Sequence, residues 1–429
     1  MFNFLSSKLS VKTLKPNFPP LHVVLSVRPD ASAQYELGYK YDTGSGVAQD
    51  YAQAMIWYHK AADQGDARAQ HNLGRMYAQG HGVPANPAES AIWYRKAAEQ
   101  GFARAQHTLA CMYYEGRGLS QDYTAAVHWF RKAAEQGNAY AQNNLGAMYE
   151  KGEGIPRDCE AAARWYRKAA DQGFARAQHN LGELYVRGEG VPQSDIDAAA
   201  WFGQAANQGF ALAQHSFGCL YARGTGVQKN AATAAKWYRK AADQGDAAAQ
   251  FSLGLAYEGG EGVPQDFVEA LRWYRRAAEA GNDAAPNNIG RMFEEGRGVA
   301  QNLPLALTWF RKGADLGNAT AQFNLGRMYE NGRGVRRDYV EANKWYAKSA
   351  DQGIPEAQFN RGIMYYVGRG VTKDFTEALR WFRLAALTFP ESEADKRRGA
   401  ARNRDLVASQ MTPEEIADAV ADVKPPARH

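Results

Sequence analysis

The chain has 429 residues, more than a single hydrophobic core ordinarily serves, so it must either divide into domains or spread one core along a repeat axis. Its 45% hydrophobic and 23% charged residues are the balance of a folded protein, and no run reaches the roughly 18 apolar residues of a membrane span. A net charge of +5 is too weak for a nucleic-acid footprint, and three scattered cysteines, Cys111, Cys159 and Cys219, exclude both a disulfide framework and a Cys-x-x-Cys metal pair.

Residues 1–30 hold Pro16, Pro19, Pro20 and Pro29 and show no helical stripe, so they are expected to form a flexible arm. Leu21–Val27 imitates the apolar core of a signal peptide ahead of Ala31-Ser32-Ala33. It contains His22, however, and is cut off from Ala31 by Arg28-Pro29-Asp30. Together with the odd cysteine count this points to a cytoplasmic protein, with the periplasm or secretion as the alternative.

From Ala31 a 36-residue repeat runs ten times without insertion, starting at residues 31, 67, 103, 139, 175, 211, 247, 283, 319 and 355 and ending at 390. All ten tryptophans keep its register: Trp57, Trp93, Trp129, Trp165, Trp201, Trp237, Trp273, Trp309, Trp345 and Trp381. Repeat positions 3, 7, 10 and 11 make one helical stripe (Ala69, Leu73, Met76, Tyr77), and positions 24, 27, 28 and 31 make a second (Ser90, Trp93, Tyr94, Ala97). Each repeat is therefore read as a hairpin of helix A and helix B. Glycine at positions 14 and 16 of every repeat ends helix A, and Asp, Asn or Ser at position 20 can cap the opening amides of helix B. One hairpin cannot bury its own tryptophan. Neighbouring hairpins must stack, with caps at both ends.

Residues 391–429 follow the last repeat. Thr412-Pro413-Glu414-Glu415 is a capping box opening a short helix with Ile416 and Val420 on one side, so this segment is read as capping helices followed by a disordered tail.

The repeat, written out at Ala319–Gly353 as ATAQFNLGRMYENGRGVRRDYVEANKWYAKSADQG, resembles the Sel-one-like repeat, a longer relative of the tetratricopeptide repeat. The likeness covers residues 31–390. It implies an all-α, right-handed superhelix of ten helix-turn-helix repeats, of a kind found in bacteria, and a scaffold or adaptor that holds a partner protein or peptide in its concave groove. Family members of the secreted kind carry paired cysteines in each hairpin, and this chain does not. Other departures are Pro286 for Gln at position 4, Arg361 for Leu at position 7, and Gly203-Gln204 in place of the Arg-Lys pair of helix B. An exported host-interaction, adhesin or immunity-type binder would use the same groove. A cell-wall or β-lactam hydrolase is the reading from another class.

Nothing in the sequence assembles a catalytic or cofactor site. Gly-x-Gly, as in Gly152-Glu153-Gly154, lies between two helices and follows no strand, so it reads as a turn. His71, His107, His179 and His215 share position 5, but facing helices lie about 10 Å apart whereas zinc takes donors at about 2.1 Å. No metal, cofactor or enzyme activity is expected.

Positions 2, 5, 9, 12 and 13 of helix A turn away from its apolar stripe, and by resemblance that side lines the groove. In the first six repeats they carry Arg68, Arg75, Arg104, Lys151, Arg176, Arg187 and Arg223, the four histidines and Glu183. Later repeats offer Glu258, Glu294 and Glu330 beside Phe251, Phe323 and Phe359, with Arg291 and Arg327 interspersed. The expectation is a partner with an acidic segment lying along the earlier repeats, bound more tightly as the histidines charge near pH 6. Position 5, His in some repeats and Phe in others, reads equally as packing or as binding. Position 9 is too mixed for packing and reads as a recognition column. Asn at position 6 (Asn72, Asn144, Asn180, Asn324) is expected to bond within the solenoid, and the Arg-Lys of helix B (Arg95-Lys96, Arg131-Lys132) to lie on a solvated outer face.

Overall fold

The computed structural model describes residues 30–421, so the arm before Asp30 and the last eight residues lie outside the described residues. The described chain is helical throughout its regular elements and contains no strand. Ten hairpins follow one another, from Ala31–Thr43 with Tyr51–Asp63 to Pro355–Val367 with Phe375–Thr388. Two further helices, Ala394–Ala408 and Pro413–Ala421, complete an all-α repeat solenoid. It divides into two compact units, one reaching Ala177 and including Glu189–Val191, the other formed by Gln178–Gly188 and the residues from Pro192 onward.

Local chemistry sets the hairpin. At the start of helix B the side chains of Asp50, Asn86, Asp122, Asp158, Ser194, Asn230, Asp266, Asn302, Asp338 and Asp374 each accept from first-turn amides. Helix A ends on a left-handed glycine, as at Gly80, with φ of 74°. The glycine at position 16 has a second duty. A Cβ on Gly118 would lie 2.2 Å from the Pro87 carbonyl oxygen of the preceding repeat, so this turn is also where consecutive hairpins meet most closely.

The two helices of a hairpin meet through position 28. Tyr58, Tyr166, Tyr274, Phe310, Tyr346 and Phe382 are essentially inaccessible, each ring lying against the glycine at position 8 of its own helix A, where a Cβ would come within about 3 Å. The tryptophans are shallower than the sequence suggests. Trp93, Trp273 and Trp345 are buried, and the other seven only partly. The lysine at position 30 lies over the indole, with Nζ 3.9 Å from the Trp57 ring centre for Lys60 and 3.9 Å from that of Trp93 for Lys96. The arginine at position 29 donates to the tyrosine at position 11 of the next repeat, at 2.7 Å for Arg95 to Tyr113 and 3.1 Å for Arg131 to Tyr149. The arginine thus joins repeats, whereas the lysine places its charge over the tryptophan three residues earlier on its own helix.

A glutamine relay, to which the sequence reading assigned no role, also joins successive repeats. Buried Gln106 at position 4 donates to the Ala98 carbonyl of the preceding repeat at 3.0 Å and accepts from Gln136 at position 34 of its own repeat at 2.7 Å. The same pairing recurs at Gln70/Gln100, Gln142/Gln172, Gln214/Gln244 and Gln322/Gln352. In the eighth repeat both partners are replaced together, by Pro286 and Leu316. The proline also delays helix A, which runs Ala285–Glu295 and is 11 residues long instead of 13, because a proline is accommodated only in the first turn. Gly203 has a local reason as well: it makes room for the ring of Phe217, whose Cζ would lie 3.2 Å from an added Cβ.

Arg361 has a side chain only 12% exposed and rests its guanidinium 4.1 Å from the Trp381 ring centre. Leu379 and Phe382 are covered by Val407, Ile416 and Ala419 of the terminal helices and by Met411 between them. The last helix opens with a reciprocal box in which the Thr412 amide donates to Glu415 Oε2 at 2.8 Å and the Glu415 amide donates to Thr412 Oγ1 at 3.3 Å.

Candidate partner-binding face

Position 5 is an aromatic slot of the hairpin. The imidazole of His71 lies 5.3 Å from the Tyr94 ring, that of His107 5.7 Å from Phe130, that of His179 5.3 Å from Phe202 and that of His215 5.7 Å from Tyr238. Phe251, Phe323 and Phe359 occupy the same slot, 5.5 to 5.7 Å from Tyr274, Tyr346 and Phe382. Packing is therefore the role of this column. Position 6 serves it: Asn144 Nδ2 lies 3.3 Å from His107 Nε2, Ser252 Oγ lies 3.1 Å from His215 Nε2, and Asn324 donates to Asn287 at 2.8 Å. These contacts run between helices A of neighbouring repeats.

The slot changes the charge expected of the histidines. Burial holds His71, His107 and His179 below the ordinary imidazole range, and for His179 it outweighs Glu183 at 3.7 Å. Burial opposes charge on His215 too, but its contact with Cys219 prevails and lifts it above that range. Three of the four rings are thus harder to charge than a free imidazole, because burial in the slot removes their solvent.

Position 9 is an inter-repeat ion-pair position in three of its ten copies, while Tyr39 and Leu255 of the same column are exposed. Arg75 pairs with Asp42, Arg291 with Glu258 at 2.6 Å and Arg327 with Glu294 at 2.7 Å, in each case joining position 9 of one repeat to position 12 of the repeat before. Arg297 and Arg333 add second contacts to Glu258 and Glu294. Glu294 is 4% exposed, so it offers a partner no open carboxylate. Two other acids of position 12 accept from the buried tyrosine of their hairpin, Glu150 from Tyr166 at 2.8 Å and Glu330 from Tyr346 at 2.7 Å. The acidic later half is therefore largely internal. At these three places the charges at positions 9 and 12 match because stacking brings them together, a relation visible in the sequence only once position 9 is compared with position 12 of the preceding repeat.

Positions 2 and 13 carry cations on the surface. Arg104, Arg176, Lys151, Arg187 and Arg223 are exposed. Arg68 is half exposed, donating to Asp66 at 2.7 Å while lying 4.1 Å from the Tyr35 ring centre. In the first compact unit, position 2 of four consecutive repeats reads Arg68, Arg104, Tyr140 and Arg176, with Tyr140 60% exposed. Among the described residues no group of His, Cys, Asp and Glu has metal-binding geometry, and no helix is long and apolar enough to cross a membrane.

The ten hairpins match the family model of the Sel1 repeat one by one, over residues 31–66, 67–102, 103–138, 139–174, 175–210, 211–246, 247–282, 284–318, 319–354 and 355–387. The chain belongs to the Sel1 repeat family. Among solved structures, a protective antigen present in uropathogenic Escherichia coli strains and displaying an SLR fold is 35% identical, with a TM-score of 0.60 over 91% of this chain and 90% of that one. A Sel1 repeat protein from Oxalobacter formigenes is 33% identical, with a TM-score of 0.57 over 81% of this chain and 96% of that one. The comparison with curated proteins returned no match. The Sel1 repeat fold is typical of protein–protein interaction scaffolds, and the family is generally non-enzymatic.

Proposed function

We propose that this Sel1 solenoid is a scaffold that binds an extended, acidic segment of a partner protein across the position-2 row of its first compact unit. The observation that carries the reading is the row itself, exposed Arg104 and Arg176 flanking exposed Tyr140, with Arg68 before them. Successive A helices touch through positions 5 and 6, which sets their axes about 10 Å apart. That is about three residues of extended chain at roughly 3.3 Å each, so the row suits acids spaced about six residues apart with an apolar residue between them. Cations and an aromatic side chain are the residue types that anchor such contacts.

The test is co-purification from the native cell with mass spectrometry, comparing the wild type, Arg104→Glu with Arg176→Glu, and a helix-B control, Lys236→Glu. Partners should be lost with the double variant and at high salt, and kept with the control. The reading fails if the double variant retrieves the same partners at wild-type yield. Unbridged Cys111, Cys159 and Cys219 support a reducing compartment. Export is a second reading, supported by the 35%-identical E. coli relative being a protective antigen, and cell fractionation separates the two.

A further inference from the structure

The spacing His-x-x-x-Cys occurs twice on helix A, as His107/Cys111 in the third repeat and His215/Cys219 in the sixth. One helical turn sets thiol against imidazole in both, with Sγ 3.7 Å from Nε2 in the first pair and 3.6 Å in the second. The surroundings then diverge: His107 meets Asn144 where His215 meets Ser252, position 15 is Arg117, which favours the Cys111 thiolate, in the third repeat and Thr225 in the sixth, and positions 28 and 13 differ as well. The ring at position 28 is Phe130 over the first pair and Tyr238 over the second, and the Tyr238 hydroxyl donates to Cys219 Sγ at 3.6 Å. Position 13 is Glu115 in the third repeat and Arg223 in the sixth. A hydroxyl donor and a cation favour a thiolate, whereas a bare ring and a carboxylate oppose it. Burial accordingly pushes the Cys111 thiol up to about 11. Burial acts on Cys219 as well, yet His215, Tyr238 and Arg223 together bring it below the ordinary thiol range.

The hydrogen-bond partners of the second pair, though not Cys219 or His215 themselves, line a space for a reactant. Tyr238 and Ser252, the two hydroxyls that touch Cys219 Sγ and His215 Nε2, line a cavity of about 380 Å³ with Lys229, Leu255 and Glu261. Cys219 is only partly buried. The other charged or titratable groups acting on the cluster are Asp246 on His215, Glu261 on Tyr238, and His179 across from His215.

We propose that Cys219 is a thiol–disulfide exchange site that takes up a small, carboxylate-bearing disulfide from the cavity beside it. Cys219 passes its proton to His215, and the thiolate attacks one sulfur of the incoming disulfide. The new sulfur–sulfur bond to Cys219 forms as the old one breaks, so Cys219 is oxidised and the departing half is reduced to a thiolate, which takes the proton from the His215 imidazolium. Lys229 on the cavity wall supplies a cation for the carboxylate. Cys111 and Cys159 belong to other repeats, so the mixed disulfide is the product until an outside thiol reverses it.

The experiment treats the full chain, carrying Cys159→Ser so that only the matched pairs compete, with glutathione disulfide, and follows each cysteine by peptide mass spectrometry. Near pH 7 Cys219 should be modified at least about tenfold faster than Cys111, since the thiolate fraction falls about tenfold for each unit by which the thiol pKa exceeds the pH. The preference should shrink as the pH rises toward 11 and Cys111 ionises. Tyr238→Phe and His215→Phe should each slow Cys219 several-fold and leave Cys111 unchanged. Both keep the fold, because other repeats already carry Phe130 and Phe251 at these positions. The reciprocal Phe130→Tyr with Glu115→Arg should speed Cys111. Equal rates at the two cysteines, or an unchanged Cys219 rate in both single variants, overturn the proposal.

Discussion

The glycine at position 16 meets two separable demands, a left-handed backbone and the absence of a side chain against the previous repeat. Gly46 in the first repeat has only the first, with φ of 79° and nothing within 4 Å of an added Cβ. Gly118 has both. Gly46→Ala should cost about 1 to 2 kcal/mol for the backbone alone. Gly118→Ala should cost more by the clash with Pro87, and urea melts of the two variants measure the difference. Equal losses would mean that the turn, not the interface, requires the glycine. The histidines make a second residue-scale prediction. His71, His107 and His179 are held below the ordinary imidazole range, so the unfolded chain takes up protons first as pH falls below about 6.5. The stability they contribute is present above that pH and is lost as pH falls toward their folded values. His215, raised, acts in the opposite sense. Thermal midpoints should drop below pH 6.5, and replacing the three by Phe should flatten the drop. An unchanged slope would show that carboxylates elsewhere dominate.

Between elements the glutamine relay distinguishes repeats that look alike. Gln250 occupies the buried position 4 of the seventh repeat and donates to the Ala242 carbonyl at 3.1 Å, but its partner position 34 is Ala280 and its Oε1 has no hydrogen bond. The eighth repeat avoids the same defect by changing both residues, since an apolar pair leaves nothing unsatisfied. Ala280→Gln should restore the bond and stabilise the seventh repeat by about 1 kcal/mol, read as a higher urea midpoint with an unchanged slope. No gain would mean that water already satisfies Gln250. The ion pairs between positions 9 and 12 belong to this scale too. They account for the arginines of that column, Arg75, Arg291 and Arg327, each of which stands where the preceding repeat offers an acid.

For the whole molecule, a linear array of nearest-neighbour interfaces makes the end repeats depend on their caps. Helices Ala394–Ala408 and Pro413–Ala421 cover Leu379 and Phe382 of the last hairpin. Deleting the chain after residue 390 should unfold the tenth repeat while leaving central repeats protected, as hydrogen exchange of its amides would show. Full protection of the tenth repeat in the truncated chain would sink the capping role. The sequence by itself determined the ten-fold period, the hairpin, its caps and turns, and the box at Thr412, because each depends on contacts within a few residues or on strict repetition. Only the tertiary structure decided which charges and rings remain free. Arg75, Arg291 and Arg327 meet acids 33 residues earlier, the position-5 histidines meet aromatic rings from the other helix, and Arg95 and Arg131 of helix B reach tyrosines of the next repeat. Helical periodicity reports which way a side chain leaves its own axis, but not what the next helix places in front of it. The row of Arg104, Tyr140 and Arg176 stays exposed even though the Tyr140 ring lies 5.9 Å from that of His107 and 4.7 Å from that of Phe174.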